Sequence, residues 1–292
     1  MSMNTLLAII TVVIWSSIAP LVKLMLSDLP NYEVLSISSY LAVLFLIVLN
    51  FKTGNIKELK NYKAKDYVII SGLGFIGFFL YNALYYYGIG TLTSQVACIL
   101  NYLWPMMIVV FSCIILKEKM TFIKGFSVLC SFGGIVLLSV GGGSGNAANS
   151  VPGMVACILA AVFYGLFSVL NKKVNYNQYI AMMIFWFISA FFSMILGLAT
   201  ETWIPITGAG WLGIIWIGFI VNALAYLLWA LALNGAENTA TIANIAYLTP
   251  FLSLILSAII LGEAITAKAV IALILIVGGI LAQSFLETKK TK

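Results

Sequence analysis

The sequence predicts an all-α polytopic membrane protein, with ten transmembrane helices arranged as two inverted five-helix repeats. Three observations carry this: the composition, the distribution of lysines and an internal repeat. Of 292 residues, 63% are apolar and only 8% charged, where soluble domains run near half apolar and about a quarter charged. No soluble fold can hide that much apolar surface, and the uncharged runs reach the roughly 20 residues that a helix needs to cross a bilayer. They lack the alternation of short amphipathic strands that marks an outer-membrane barrel.

Apolar runs bounded by polar punctuation place spans near 4–25, 32–50, 67–89, 92–116, 121–140, 152–171, 177–199, 210–233, 238–261 and 267–286. The first run has no positively charged lead and is long for a signal-peptide core, so it reads as a retained span. The glycine-rich stretch Gly141–Gly145 and the segment that follows it up to Pro152 read as a flexible external linker. The expected organisation is a first repeat over 1–140, a linker over 141–151, and a second repeat with a cytoplasmic tail over 152–292.

Lysine placement orients the set. All 15 basic residues are lysines. With a cytoplasmic N-terminus, only Lys23 and Lys268 fall outside, and the other 13 fall in inner loops and the tail. That asymmetry follows the positive-inside rule and predicts a multi-pass inner (plasma) membrane protein with both termini in the cytoplasm.

A shift of 145 residues aligns Tyr102–Ser139 with Tyr247–Ser284 without a gap, and 13 of the 38 pairs are identical. Pro105 meets Pro250, the ILKE stretch ending at Glu118 meets ILGE ending at Glu263, and Gly133 and Gly134 meet Gly278 and Gly279. Because five is odd, the second half enters the membrane from the opposite side. This is the design of alternating-access carriers, in which two equivalent halves exchange conformations. Pro105 and Pro250 each fall near mid-span as helix breaks, freeing the carbonyls of Asn101 and Ala246. The alternative for either proline is a packing kink.

Several chemistries are excluded. There is no histidine and no arginine, which removes imidazole bases, imidazole metal sites and guanidinium clamps for phosphate. The four cysteines lie in apolar segments and read as small hydrophobes. No enzyme activity, cofactor, metal site or nucleic-acid partner is expected, and the net charge of +6 reads as loop orientation. All nine carboxylates can be placed in loops or at span ends. Glu118 and Glu263 fall on opposite sides of the membrane, so they cannot share acid–base work; each is expected to contact the start of the following helix. A pathway without a midplane carboxylate suits a substrate that needs no buried counter-charge, moving down its gradient or coupled through a site not evident from the charges.

Polar and aromatic residues supply the candidate site. Trp15 lies on span one, Tyr81 and Tyr85 one turn apart on span three, and Asn101, Tyr102 and Trp104 on span four. Phe163 and Tyr164 lie on span six, Tyr226 on span eight, and Asn244 and Tyr247 on span nine. Tyr86, Tyr87, Trp203 and Trp211 are read instead as interfacial aromatics. An uncharged, aromatic-lined cavity with a few amides suits a small amphipathic organic molecule.

These features resemble the drug/metabolite transporter superfamily, EamA type, over nearly the whole chain. The resemblance rests on the Trp15 span followed by Lys23, the two proline-containing spans that end at Glu118 and Glu263, and the GGI motif after each. The NYLWP stretch at Asn101–Pro105 is similar, more narrowly, to the aromatic amino acid exporter (YddG-type) subgroup. The resemblance implies a basket in which spans one, three, four, six, eight and nine surround a central cavity, with spans five and ten behind. It also implies that Trp15, Asn101, Tyr102 and Trp104 line or gate that cavity. At span six the subgroup tends to carry Trp where this chain has Phe163 beside Tyr164. The expected function is a carrier exporting amino acids, aromatic ones included, or related small neutral metabolites. Its expected partners are a small-molecule substrate and the lipid bilayer, with the oligomeric state left open. Export of other metabolites or amphipathic cations, and a non-transporting membrane scaffold, are the alternatives.

Overall fold

The computed structural model describes residues 2–139, 150–234, 242 and 245–290, all in helices and short connections. Most of the expected linker, and Asn244, lie outside the described residues. In chain order the helices are α1 (Met3–Met25), α2 (Asn31–Thr53), α3 (Ala64–Thr91), α4 (Ser94–Ile115), α5 (Phe122–Ser139), α6 (Val151–Asn171), α7 (Gln178–Thr200), α8 (Gly208–Leu233), α9 (Ala246–Leu261) and α10 (Ala267–Lys290). Seven of them (α1–α4 and α6–α8) are long and apolar enough to cross a membrane; α5, α9 and α10 contribute shorter apolar helices among the described residues. Nine of the expected spans match these helices to within a few residues; most of the first part of span nine, expected from 238, lies outside the described residues, and α9 is described continuously from Ile245.

Several helices are interrupted where the sequence gives a physical cause. α1 breaks at Ser17: the Ser16 and Ser17 hydroxyls bond back to the carbonyls of Val12 and Ile14 at 2.6 and 2.7 Å. Pro20 meanwhile removes the amide that would have met the Ser16 carbonyl. α4 breaks at Tyr102 and Leu103, and Pro105 sits in the first turn of its second piece. In α9 a 3₁₀ turn over Ala246–Leu248 precedes Thr249–Leu261, with Pro250 again in the first turn. π-helical stretches occupy Phe75–Leu80 of α3 and Trp216–Ala225 of α8. The 145-residue shift carries 71–80 onto 216–225, so these stretches also obey the internal repeat. Apolar periodicity does not reveal them.

The GGI motifs acquire a reason. A Cβ on Gly134 would stand 2.7 Å from Ile276 Cγ1 and 2.9 Å from the Ala272 carbonyl, and one on Gly279 would stand 2.8 Å from Cys130 Cβ. The second glycine of each motif thus lets α5 and α10 approach each other reciprocally. Gly133 and Gly278 have nothing within 4 Å of the same construction.

Carboxylates cap helix starts across the halves. Glu201 accepts from the Tyr32 and Glu33 amides at the start of α2, and buried Glu33 accepts from the Ile204 amide at 3.0 Å. The start of α7 is held similarly: Asn177 donates to Glu58 at 2.9 Å, and its amide donates to the Tyr62 hydroxyl. Of the expected interfacial aromatics, Tyr87 and Trp211 are exposed, at 45% and 42%. Tyr86 is instead 2% exposed within the core, because the π stretch ahead of it changes which face of α3 points inward. Trp203 packs its ring on Gly197.

Candidate functional site

A cavity of about 320 Å³ lies among α1, α3, α4, α6, α7, α8 and α9. Among the described residues none of α5 or α10 and no charged side chain lines it; aromatic rings and amides make most of its wall, with Ile18, Cys98, Thr249 and Ser253 between them. Trp15, Tyr81, Tyr85, Asn101, Tyr102, Trp104, Tyr164 and Tyr226 from the sequence reading all face it.

Phe167 and Phe78 join the rings into one wall, from Tyr164 across to Tyr226. On one side Tyr164 contacts Tyr81 and Trp104, with centroids 4.8 and 5.3 Å apart, and Trp104 reaches Tyr102 at 6.0 Å. On the other, Trp15 packs on Tyr226 and Trp229, both at 5.3 Å. Tilted and edge-on pairs of this kind hold rings in fixed orientations. The break in α1 directly after Trp15 and the π stretches directly ahead of Tyr81 and Tyr226 set where these side chains point. π segments recur where side chains must be re-aimed at a site.

Polar groups are few. Asn101 Nδ2 donates to the Tyr81 hydroxyl at 3.1 Å, and the Tyr102 hydroxyl donates to the Ala246 carbonyl that Pro250 frees. Trp15 Nε1, Asn101 Oδ1 and Asn171 Oδ1 are buried without a hydrogen-bond partner. Unpaired buried donors and acceptors are uncommon and costly, so the wall retains both a donor and acceptors for a ligand. Among the described residues no three His, Cys, Asp or Glu side chains gather as metal ligands.

Other parts of the wall were not singled out by sequence reasoning. Phe78, Phe167 and Phe185 line it, as do Asn171, Gln178 and Met182, and α7 enters the wall where the resemblance implied only six spans. An aromatic in an apolar run carries no mark of whether it meets lipid, core or cavity. Phe163 is half-buried and outside the wall; Tyr164, about 100° further round the helix, takes the inward position. Tyr247 packs against the core beside the cavity without lining it. Asn244 lies outside the described residues.

The cavity reaches Asn171 and Gln178, at one end of the bundle, and adjoins a second chamber that shares Gln178, Met182, Tyr226 and Trp229 with it. The opposite end is clamped. Lys23 Nζ donates to the carbonyls of Gly90 and Leu92 at 2.9 and 2.7 Å, at the end of α3. Glu263 accepts from the Ser94 and Gln95 amides at 2.7 and 3.1 Å, at the start of α4. A cation at a helix C-terminus and an anion at the next N-terminus both complement the helix dipoles, so the α3–α4 turn is fastened from α1 and from the α9–α10 turn. Glu118 pairs with Lys124 at 2.9 Å, at the start of α5, as expected. Glu263, expected at the start of its own following helix, crosses instead to α4, where the Ser94 and Gln95 amides give its carboxylate a helix N-terminus to cap.

The sequence pattern of the EamA-like transporter family matches residues 3–140 and 151–285. An aromatic amino acid exporter, YddG, of Ancylobacter novellus is 26% identical over 214 residues, covering 73% of this chain and 74% of that one. An uncharacterised transporter, YvbV, of Bacillus subtilis is 26% identical over 95% of this chain and 90% of its own length. A probable terminal-alkyne amino-acid exporter of Streptantibioticus cattleyicolor is 24% identical over 87% and 84%. A solved crystal structure superimposes with a TM-score of 0.70 over 99% of both chains at 22% identity, a likeness of fold. With its pattern covering both halves of the chain, the protein belongs to the EamA-like transporter family, of membrane transporters and not of enzymes.

Proposed function

We propose that this chain is an alternating-access carrier that exports amino acids, aromatic ones included, across the plasma membrane. The observation that carries the reading is the cavity wall: tilted and edge-on rings with no charged side chain among the described residues, together with an unpaired indole donor at Trp15 and an unpaired amide acceptor at Asn101. A zwitterion presents a carboxylate for the first and an ammonium for the second, and an aromatic side chain fills the space between rings. That two of the relatives are named as amino acid exporters supports the same substrate class.

The carrier reading takes ten spans in two inverted halves with both termini in the cytoplasm. Contacts support the inversion: the start of α6 at Gly153 packs on Thr91 and Leu92, at the end of the bundle where α1 finishes. Lys172 and Lys173 follow α6 at the end to which the cavity extends, so by the lysine asymmetry the cavity opens to the cytoplasm. This state is inward-open.

Amphipathic cations are the second reading, favoured by the density of ring faces, with no carboxylate beside them among the described residues. A thermal-stability screen of purified protein separates the two, because a ligand that binds only the folded state raises apparent stability. Stabilisation by phenylalanine, tryptophan or tyrosine and not by quaternary ammonium compounds supports the amino acid reading; the reverse pattern overturns it.

A further inference from the structure

The two proline breaks are joined by one hydrogen bond whose mirror image is missing. Pro250 has no amide for the Ala246 carbonyl, and Pro105 has none for the Asn101 carbonyl. In α9 the 3₁₀ turn gives the Ala246 carbonyl the Thr249 amide. The Tyr102 hydroxyl, arriving from α4, gives it a second partner. The 145-residue shift carries Tyr102 onto Tyr247 and Asn101 onto Ala246. The symmetric contact is therefore the Tyr247 hydroxyl on the Asn101 carbonyl. It is not formed: Tyr247 sits half-buried in the 3₁₀ turn, packed on the core, and bonds to neither carbonyl.

At the ends of the bundle Glu263 grips the start of α4, and Glu118, its counterpart, pairs with Lys124 and leaves 46% of its side chain exposed; the residues that answer Ser94 and Gln95 under the 145-residue shift, 239 and 240, lie outside the described residues.

We propose that Tyr102 and Tyr247 exchange roles during transport. In the inward-open state the Tyr102 hydroxyl completes the Ala246 carbonyl, and in the outward-open state the Tyr247 hydroxyl completes the Asn101 carbonyl. The exchange lets each proline hinge bend while its exposed carbonyl gains a partner in one state, so neither state carries two under-satisfied carbonyls beside an apolar cavity. A 3₁₀ turn within a longer helix is a suitable hinge, because its bonds are shorter in reach and poorer in geometry than those of an α-helix. The inference rests on the inverted-repeat reading but on no particular substrate.

The test is a distance measurement on the full chain in lipid, without substrate. The four native cysteines are replaced by alanine, and spin labels are placed through Tyr87→Cys and Ala264→Cys, two exposed positions at the clamped end. Tyr102→Phe keeps the ring and loses only the hydroxyl. It is expected to move the population toward longer distances, the outward-open form, by roughly fivefold, the worth of one net hydrogen bond. Tyr247→Phe is expected to move it the other way, and the double variant to restore the parental distribution. No movement with Tyr102→Phe, or movement of both single variants in one direction, overturns the proposal. A second arm guards against an indirect effect: Pro250→Ala restores an amide for the Ala246 carbonyl, so Tyr102→Phe added to it should move nothing. An undiminished shift in that background also overturns the proposal. Failure of the topology reading shows separately, as Ala264→Cys labelling from the cytoplasm.

Discussion

Glu263 Oε1 accepts the Ser94 amide at 2.7 Å, closing one end of the bundle with a carboxylate set on the start of a helix 169 residues away in sequence. The Gln95 amide and the Ser94 hydroxyl converge on Oε2. Glu118, at the equivalent place in the other half, is half-exposed and bonded to a lysine of its own turn. A carboxylate that accepts several bonds at a helix N-terminus contributes about 1–2 kcal/mol, whereas a single ion pair with one half-exposed partner contributes about 1 kcal/mol or less. Glu263→Gln should therefore lower the apparent melting temperature in detergent more than Glu118→Gln does. Equal shifts would show that the clamp does not hold the fold as described.

The turns ahead of these two glutamates differ in strain. Gly262 and Lys117 occupy the same place in the repeat, both with positive φ, at 68° and 58°. Only glycine adopts that conformation without cost, and other residues lose about 1 kcal/mol or more. Lys117→Gly should raise the melting temperature and Gly262→Ala should lower it; a melting series on the two variants decides.

The paired glycines give a contrast within one motif. Gly134→Ala drives a methyl group against Ile276 and the Ala272 carbonyl, an overpacking that costs about 1–3 kcal/mol. Gly133→Ala meets open space and gains helix propensity, so it should be neutral or stabilising. Expression and melting of the two variants should separate them; similar losses in both would refute close packing of α5 on α10.

Recognition should divide by substrate size. Trp104 and Tyr81 both contact Tyr164 at the cavity wall, and each ring contact contributes roughly 0.5–1.5 kcal/mol beyond area burial. Trp104→Ala and Tyr81→Ala should reduce transport of aromatic amino acids by up to about tenfold, and that of small neutral ones less. Trp211→Ala, on the exposed face, should affect neither. Equal losses for both classes would assign the rings to gating or folding.

Orientation is open to a labelling experiment. A cysteine at Lys57, in the lysine-rich α2–α3 connection, should react only with reagents on the cytoplasmic side, and one at Ala264 only with those outside. Labelling of both from one side would contradict the inverted halves.

The spans were legible because burial in lipid demands long uncharged runs, and the proline pair was legible because a missing amide is written in the sequence. The cavity tyrosines followed from their central depth. Phe78, Phe167 and Phe185 were not legible, since lipid, core and cavity all accept phenylalanine. The π stretches were equally hidden: they shift the inward face by a fraction of a turn, which buries Tyr86 without altering the apolar pattern. The partner of Glu263 was out of reach because a contact across 169 residues leaves no local trace. Phe163 and Tyr164 were adjacent candidates, and only the helix phase chose between them.

Counterflow in proteoliposomes tests the central claim most directly. Purified protein is reconstituted in vesicles loaded with unlabelled phenylalanine, and uptake of labelled phenylalanine from outside is followed. The account predicts uptake that depends on internal amino acid and falls in the Trp104→Ala and Tyr81→Ala variants. Absence of such exchange for phenylalanine, tryptophan, tyrosine and small neutral amino acids alike, in folded protein, would contradict it.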